Sequence, residues 1–181
     1  MDAKDELREI LKRTSLFRGQ FVLASGKTSE YYFDCKLTTL SEPRGLKLAA
    51  QLLYEGIARC PARIDAVGGL VMGSAPLVVG ISLEALAHGT VLPGFMVRKD
   101  PKPHGRAQLI EGVVKPGANV AIVDDVVTSG GSVLKAIRAA EQEGARVVKV
   151  LMLVDREEGA AETLRDYDHE TIFSFKDLLD R

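Results

Sequence analysis

The sequence contains few residues that could build a disulfide framework. Its 181 residues include only two cysteines, Cys35 and Cys60. Neither has a second cysteine at CxxC spacing or a spacing typical of metal ligands, and no histidine or asparagine context suggests an activated thiol. We therefore expect both to be reduced thiols in a cytoplasmic protein.

The chain also lacks an excess of either charge. The formal net charge of -1 gives no support to non-specific binding of nucleic acid. Residues 1–13 carry charges of both signs and no apolar run, unlike a signal peptide. Residues 66–83 have no charged side chain, but their four glycines and one proline indicate a strand, a turn and a helix. A bilayer-spanning helix needs about 20 mostly apolar residues, so we expect no membrane association.

Apolar segments alternate with amphipathic ones through the middle of the chain. Strands are predicted at residues 66–71, 94–97, 119–123 and 147–154, and helices at 76–87 and 131–143. A further helix is expected after Ser41 as N-cap and Pro43 in the first turn. Short strands are expected at residues 21–23 and 31–34. Continuous apolar strands separated by helices indicate a parallel sheet covered on both faces. The length fits one domain over residues 1–181, with a core at about 41–160 and a small accessory layer from residues 1–40 and 163–181.

Residues 120–133, VAIVDDVVTSGGSV, carry the strongest functional pattern. An apolar strand ends in Asp124 and Asp125, a turn rich in glycine and hydroxyl groups follows, and then a helix begins. Such a turn presents backbone N–H groups and a helix N-terminus to a phosphate. Because acids repel phosphate, the two aspartates must serve another group, either the two hydroxyls of a ribose or an attached metal. The alternative is an ordinary strand-to-helix turn, but the other phosphate motifs, GxxxxGK[ST] and GxGxxG, are absent.

Residues 98–106 concentrate five potential cations in nine positions of a near-neutral protein. The prolines and the glycine among them favour a loop over a regular element. A cationic loop of this kind can close on a diphosphate, neutralise the leaving group and exclude water. His104 can donate a proton to that leaving group. The alternative is a solvated, charged surface loop.

The first of these segments resembles the diphosphate-ribose motif of the type I phosphoribosyltransferases, and the second resembles the RK…K.HG loop of orotate phosphoribosyltransferases. The resemblance implies a Rossmann-like α/β fold, a parallel sheet flanked by helices with a small hood from the chain ends. It implies transfer of ribose 5-phosphate from 5-phosphoribosyl 1-diphosphate to orotate in pyrimidine biosynthesis. Mg²⁺ would be carried by the diphosphate, with no direct metal ligand from the protein. The loop would reach the active site of a neighbouring subunit, which implies a homodimer with shared sites.

The resemblance also assigns roles to individual residues. The catalytic residues would be Lys102, His104, Asp124 and Asp125. The contacts to phosphoribosyl diphosphate would be Arg98, Lys99, Lys102, His104, Asp124, Asp125, Val126, Val127, Thr128, Ser129, Gly130, Gly131 and Ser132. Residues 21–34, FVLASGKTSEYYFD, are similar to the segment in which two aromatics contact the orotate ring. The orotate contacts would therefore be Thr128, Arg156, Tyr32 and Phe33, or Tyr31 and Tyr32 one register earlier.

Two positions depart from the pattern of the family. Several orotate enzymes carry a lysine where this chain has Ala24, and another in the turn that here contains Gly73. Two other functions remain as alternatives. One is a phosphoribosyltransferase for a different base, against which the basic loop and Arg156 argue. The other is a non-enzymatic regulator that senses phosphoribosyl diphosphate, for which the chain has neither room for a DNA-binding domain nor a strong basic face.

Overall fold

The computed structural model describes residues 2–22, 26, 28–100 and 109–179. The first helix, α1 (Ala3–Thr14), begins where the Asp2 carboxylate accepts a hydrogen bond from the Asp5 backbone N–H at 2.7 Å. Its apolar residues are spaced to bury one face against the rest of the protein. Strands β1 (Leu16–Val22) and β2 (Thr28–Phe33) then form an antiparallel two-stranded sheet.

The remaining elements alternate between helices and strands. In chain order they are α2 (Lys36–Ser41), α3 (Pro43–Ala58), β3 (Ala66–Leu70), α4 (Ser74–Ala87), β4 (Gly94–Val97), β5 (Ile110–Glu111), β6 (Asn119–Val127), α5 (Gly131–Gln142), β7 (Arg146–Asp155), α6 (Ala160–Thr163) and β8 (His169–Ser174). A 3-10 turn over Phe175–Leu178 follows the last strand.

The central sheet has six strands in the order β5-β4-β3-β6-β7-β8. All neighbouring pairs are parallel except β4 and β5. The chain passes outward from β3 to β4 and then returns to the other side of β3 with β6. This reversal lies between β3 and β6, and ligands of open α/β sheets bind beyond the carboxyl ends of the strands at such a point.

Two apolar clusters cover the two faces of the sheet. Alternate residues of β6 divide between them, so that Ala121 and Val123 pack with α3 and α4, while Val120 and Ile122 pack with α5. This alternation follows from the two-residue period of a strand. Because both faces are covered, the strands are apolar along most of their length, and the polar pair at the end of β6 stands out.

The parallel sheet flanked by helices is confirmed, and most strands lie where the sequence predicts them. Three local predictions were wrong. Strand β6 continues to Val127, so both aspartates lie within it. Ser41 ends α2, and Glu42 is the N-cap of α3. Residues 169–174 form β8, an edge strand of the central sheet, so this part of the carboxyl-terminal segment is not an accessory layer. Within the described ranges, no helix is long and apolar enough to cross a bilayer.

Candidate active site

The carboxyl end of β6 brings two acidic side chains into the sheet at the point where the strand order reverses. Asp124 is 6% exposed and Asp125 is 8% exposed. Ser132, in the first turn of α5, donates a hydrogen bond from its Oγ to Oδ2 of Asp124 at 2.9 Å. The acid pair is therefore connected directly to the start of the helix that follows the predicted phosphate turn.

Burial dominates the electrostatics of this acid pair. The pKa of Asp124 is raised from 3.8 to about 7, first by burial and then by the neighbouring Asp125 carboxylate, while the Ser132 hydrogen bond opposes the change. Burial also raises the pKa of Asp125, but the ammonium group of Lys36 counteracts it. Two buried carboxyl groups with raised pKa values suit a polar partner that replaces water, such as a pair of ribose hydroxyls.

The turn between β6 and α5 is held in place from two sides. Thr163 donates from Oγ1 to the carbonyl oxygen of Ser129 at 2.7 Å, and the Arg156 backbone N–H donates to the carbonyl of Val127 at 2.9 Å. Gly130 has a φ of 85°, a left-handed conformation that glycine adopts without strain. Thr128 and Ser129 are exposed at this turn, so their polar groups and the first N–H groups of α5 are available to an anion.

Gly73 packs against the acid pair from the end of the neighbouring strand β3. It lies in the turn between β3 and α4, and a Cβ atom at this position would stand 2.0 Å from Oδ1 of Asp125. The Asp125 carboxyl group thus packs directly on the main chain of the turn. This contact joins the two turns that flank the reversal point of the sheet.

The hairpin strand β2 presents its aromatic side chains in two directions. Tyr31 and Phe33 both lie edge-on to Phe175, with ring centroids 6.4 and 5.8 Å apart respectively. Tyr32, which points the other way and is 43% exposed, packs on Phe21 at 5.6 Å. Because side chains alternate along a strand, the predicted base contacts Tyr32 and Phe33 cannot both turn their rings to one ligand. The ring of Phe33 lies in the apolar core.

Arg156 follows β7 and is held beside this aromatic group. Its guanidinium carbon lies 4.6 Å from the centre of the Phe175 ring, and its Nε lies 3.0 Å from Oε1 of Glu158. The side chain is 14% exposed. A planar guanidinium fixed by stacking retains N–H donors that can bind a carboxylate bidentately.

The basic segment starts and ends at the same edge of the sheet. The backbone N–H of Arg98 donates a hydrogen bond to the carbonyl oxygen of Leu109 at 2.7 Å. The Arg98 side chain forms an ion pair with Glu111 at 3.0 Å. Arg98 and Lys99 line a cavity of about 430 Å³ with Val71, Met96, Asp100 and Glu111. Lys102 and His104 lie outside the described residues. A larger cavity of about 680 Å³ lies at the amino-terminal ends of β3, β4 and β6, at the opposite end of the strands from the acid pair.

Comparison with known proteins agrees with this geometry. The phosphoribosyl transferase domain family matches residues 38–175. An orotate phosphoribosyltransferase of Bradyrhizobium diazoefficiens is 42% identical, covering 89% of this chain and 87% of the relative. One of Thermococcus kodakarensis is also 42% identical, covering 90% of this chain and 85% of the relative. The chain belongs to the orotate phosphoribosyltransferases.

Solved structures support the same family. The orotate phosphoribosyltransferase of Mycobacterium tuberculosis in complex with 5-phospho-alpha-D-ribosyl 1-diphosphate superimposes with a TM-score of 0.82 at 34% identity, covering 98% of this chain and 99% of that one. The adenine phosphoribosyltransferase of Leishmania donovani has a TM-score of 0.72 at 18% identity, a likeness of fold alone.

Three residues around the candidate site were missed by the sequence interpretation. The ammonium group of Lys36 lowers the pKa of Asp125, Phe175 lies against the guanidinium of Arg156, and Thr163 donates a hydrogen bond to the turn between β6 and α5. The sequence contains one signal for Lys36, since Asp34 and Lys36 follow directly on an aromatic strand. Nothing local marks Phe175 or Thr163, because both reach the site from segments that lie far from it along the chain.

The resemblance to the phosphoribosyltransferases implies Mg²⁺ as a companion of the diphosphate. Mg²⁺ requires about six oxygen ligands in octahedral geometry. Among the described residues, no group of three or more histidine, cysteine or acidic side chains could hold a metal ion.

Proposed function

We propose that the protein transfers ribose 5-phosphate from 5-phosphoribosyl 1-diphosphate to orotate, giving orotidine 5′-monophosphate and diphosphate. The observation that supports this most directly is the buried acid pair at the mouth of a braced phosphate turn, with a stacked arginine beside it. The acid pair fits the hydroxyls of a ribose, and the turn fits its 5-phosphate. The stacked arginine fits a base that carries a carboxylate. The relatives described above are both named orotate phosphoribosyltransferase.

In the proposed reaction, Asp124 and Asp125 accept hydrogen bonds from the two ribose hydroxyls. The backbone N–H groups and hydroxyls of residues 128–132 hold the 5-phosphate. Displacement at the anomeric carbon passes through an oxocarbenium-like transition state, and the two carboxylates lie where they stabilise its positive charge. No covalent nucleophile from the enzyme is needed, so catalysis consists of positioning and charge stabilisation.

The leaving diphosphate would be received by the basic segment. Arg98 and Lys99 line a cavity beside the turn that contains Gly73, and we propose that Lys102 and His104 complete the cationic surface. Mg²⁺ bound to the diphosphate would supply further positive charge to the leaving group. Residues of the protein then need only orient that group and exclude water.

The base would lie between the hairpin and the carboxyl end of β7. Arg156 would exchange its contact with Glu158 for the carboxylate of orotate, to which a guanidinium can bind bidentately. Tyr32 would offer its ring to the pyrimidine. Since the ring of Phe33 lies in the core, Phe33 would contribute its backbone, and Thr128 would contact the base from the phosphate side.

The direct test is the loss of orotate ultraviolet absorbance on mixing protein, Mg²⁺ and phosphoribosyl diphosphate. We expect turnover with orotate and none with adenine, hypoxanthine or uracil. Lys102→Ala should lower the turnover rate by roughly 100-fold or more, because a cation is lost from the leaving group. Turnover of a different base would refute the base assignment. Binding of phosphoribosyl diphosphate without turnover of any base would favour a regulator.

We also propose that the protein is a homodimer that works in the cytoplasm. Helix α4 is apolar on almost every side, and Val79, Leu83 and Leu86 on its outer face are 55%, 63% and 61% exposed. Its single charged residue, Glu84, is paired with Lys47 and with His88. An apolar helix face without an unbalanced charge suits contact with a second copy. The two cysteines are free thiols, in keeping with a reducing compartment.

A charge on this helix face tests the dimer. Leu83→Glu should convert the protein to a monomer in sedimentation velocity, since an unpaired carboxylate would be buried in the contact. Its transfer activity should fall at least about tenfold if the subunits share their sites. Val113→Glu is the matched control, because Val113 is also apolar and 70% exposed but follows β5 at another part of the surface. A Leu83→Glu protein that sediments as a dimer would contradict the assignment.

A further inference from the structure

Phe175 lies beside Arg156 because two neighbouring strands of the central sheet end at the same level. In the parallel pairing of β7 with β8, Asp155 is the partner of Ser174, and each of these is the last residue of its strand. Arg156 and Phe175 are therefore the first residues to leave the sheet on each side. The guanidinium carbon of Arg156 lies 4.6 Å from the centre of the Phe175 ring. The register of the sheet thus brings this cation and this ring together.

The two segments that leave the sheet here are also ordered by polar contacts. Nζ of Lys176 lies 2.8 Å from Oε1 of Glu157, which joins one segment to the other. The backbone N–H of Glu157 donates to Oδ1 of Asp155 at 2.7 Å, and the backbone N–H of Ser174 donates to Oδ2 of Asp177 at 2.8 Å. Each segment thus has a hydrogen bond of its own that fixes its backbone, and the ion pair connects them next to the contact between the arginine and the ring.

The hairpin strand β2 sets the orientation of the Phe175 ring. The rings of Tyr31 and Phe33 stand nearly perpendicular to it, at interplanar angles of 81° and 76°. Such edge-to-face pairs depend on orientation, so two of them together restrict how the ring can turn. The Arg156 side chain on this ring is only 14% exposed. A cation that is shielded from water interacts more strongly with an aromatic ring than an exposed one does.

We propose that Phe175 is a positioning residue for Arg156 and thereby sets the preference of the site for a base that carries a carboxylate. A bidentate bond requires the guanidinium to be held in one orientation, because two N–H donors must meet two carboxylate oxygens at once. Contact with the ring restricts that orientation and uses none of the donors, whereas a hydrogen-bonding neighbour would occupy at least one. The inference rests on the proposed function, because it takes the carboxylate of orotate as the ligand of Arg156.

The test removes the ring and measures the KM values for the two substrates separately. In Phe175→Leu and in Phe175→Met, the KM for orotate should rise about tenfold, while kcat and the KM for phosphoribosyl diphosphate change less than about threefold, because only binding of the base carboxylate is weakened. Phe175→Tyr keeps the ring and should hold the KM for orotate within about threefold of wild type. In an Arg156→Ala background, adding Phe175→Leu should change that KM by less than about twofold, since both residues act on one contact.

Tyr167→Leu is the matched control, because Tyr167 is also a half-buried aromatic residue but precedes β8 at the other end of the strand. Its loss should leave both KM values unchanged, and thermal melting should show all variants folded at the assay temperature. An unchanged KM for orotate in Phe175→Leu and Phe175→Met, or an equal rise in both KM values, would overturn the role of Phe175 alone if the wild type turns over orotate. Absence of orotate turnover in the wild type would instead overturn the proposed function.

Discussion

Replacing Asp124 with asparagine is expected to remove most of the transfer activity and to stabilise the unliganded protein above pH 7. The loss of activity should be roughly 100-fold, because the charged hydrogen-bond acceptor that we propose for a ribose hydroxyl is lost. The gain in stability follows from the burial of this carboxyl group, which is 6% exposed. Asparagine keeps the shape and an oxygen for the Ser132 hydroxyl, but it never carries the buried charge.

The sign of the pH dependence follows from the pKa of Asp124. In the folded protein this pKa is raised from 3.8 to about 7, so the folded state binds the proton more tightly than the unfolded state. Below pH 4 the Asp124 carboxyl group is protonated in both states and does not lower the free energy of unfolding. As pH rises from 4 to 7, it lowers the free energy of unfolding by an increasing amount. A difference of roughly three pH units corresponds to an upper limit of about 4 kcal/mol above pH 7.

Urea denaturation at pH 5 and pH 8 measures this cost. The wild type should lose more free energy of unfolding between the two pH values than Asp124→Asn does. Asp166→Asn is the control, because Asp166 is exposed and far from the acid pair along the chain, and this change should affect neither activity nor the pH dependence. An Asp124→Asn protein that retains wild-type activity, or the wild-type dependence on pH, would refute the assignment.

Substituting Gly73 by alanine is the second change with a large expected effect. The added methyl group would stand 2.0 Å from Oδ1 of Asp125, so either the carboxyl group or the turn must move. A displacement of about 1 Å at a catalytic contact can cost about 100-fold in rate, and we expect a fall in kcat/KM of that order. The free energy of unfolding should fall by about 1–3 kcal/mol, as is typical of overpacking in a core.

A double-mutant cycle separates this clash from a general effect on the turn. In an Asp125→Ala background no carboxyl group remains to be displaced. Adding Gly73→Ala should then change kcat/KM by less than about threefold, so that the two effects are strongly non-additive. If the two losses multiply instead, Gly73 acts through something other than its contact with Asp125.

The sequence was sufficient to predict the centre of the fold. Strands β6 and β7 are buried on both faces, and such strands form continuous apolar runs in the sequence. These runs can be recognised without knowing which strands lie beside them. The turn between β6 and α5 was equally predictable as a structure, because a strand, two acids, a turn of small residues and a helix follow one another within 14 positions. These features are local, so sequence order alone contains them.

Strand β8 escaped prediction because its sequence is mixed. Glu170 pairs with Arg59 and with Lys149, whose side chain is largely buried in the neighbouring strand. The charged residues of such an edge strand pair with residues from elsewhere in the fold. A short window of the sequence does not contain those partners. The contact of Gly73 with Asp125 was hidden for the same reason, since it joins segments that meet only after folding.

The two hydrogen bonds that hold the phosphate turn, from Thr163 and from the Arg156 backbone, have a consequence for the thermodynamics of binding. A turn already held in its binding shape gives up little conformational entropy when an anion arrives. Binding at this end should then be governed by hydrogen-bond enthalpy and charge rather than by the ordering of the chain. If the turn binds the 5-phosphate as proposed, it works as a rigid anchor, and the identity of the base can be decided independently at the other end.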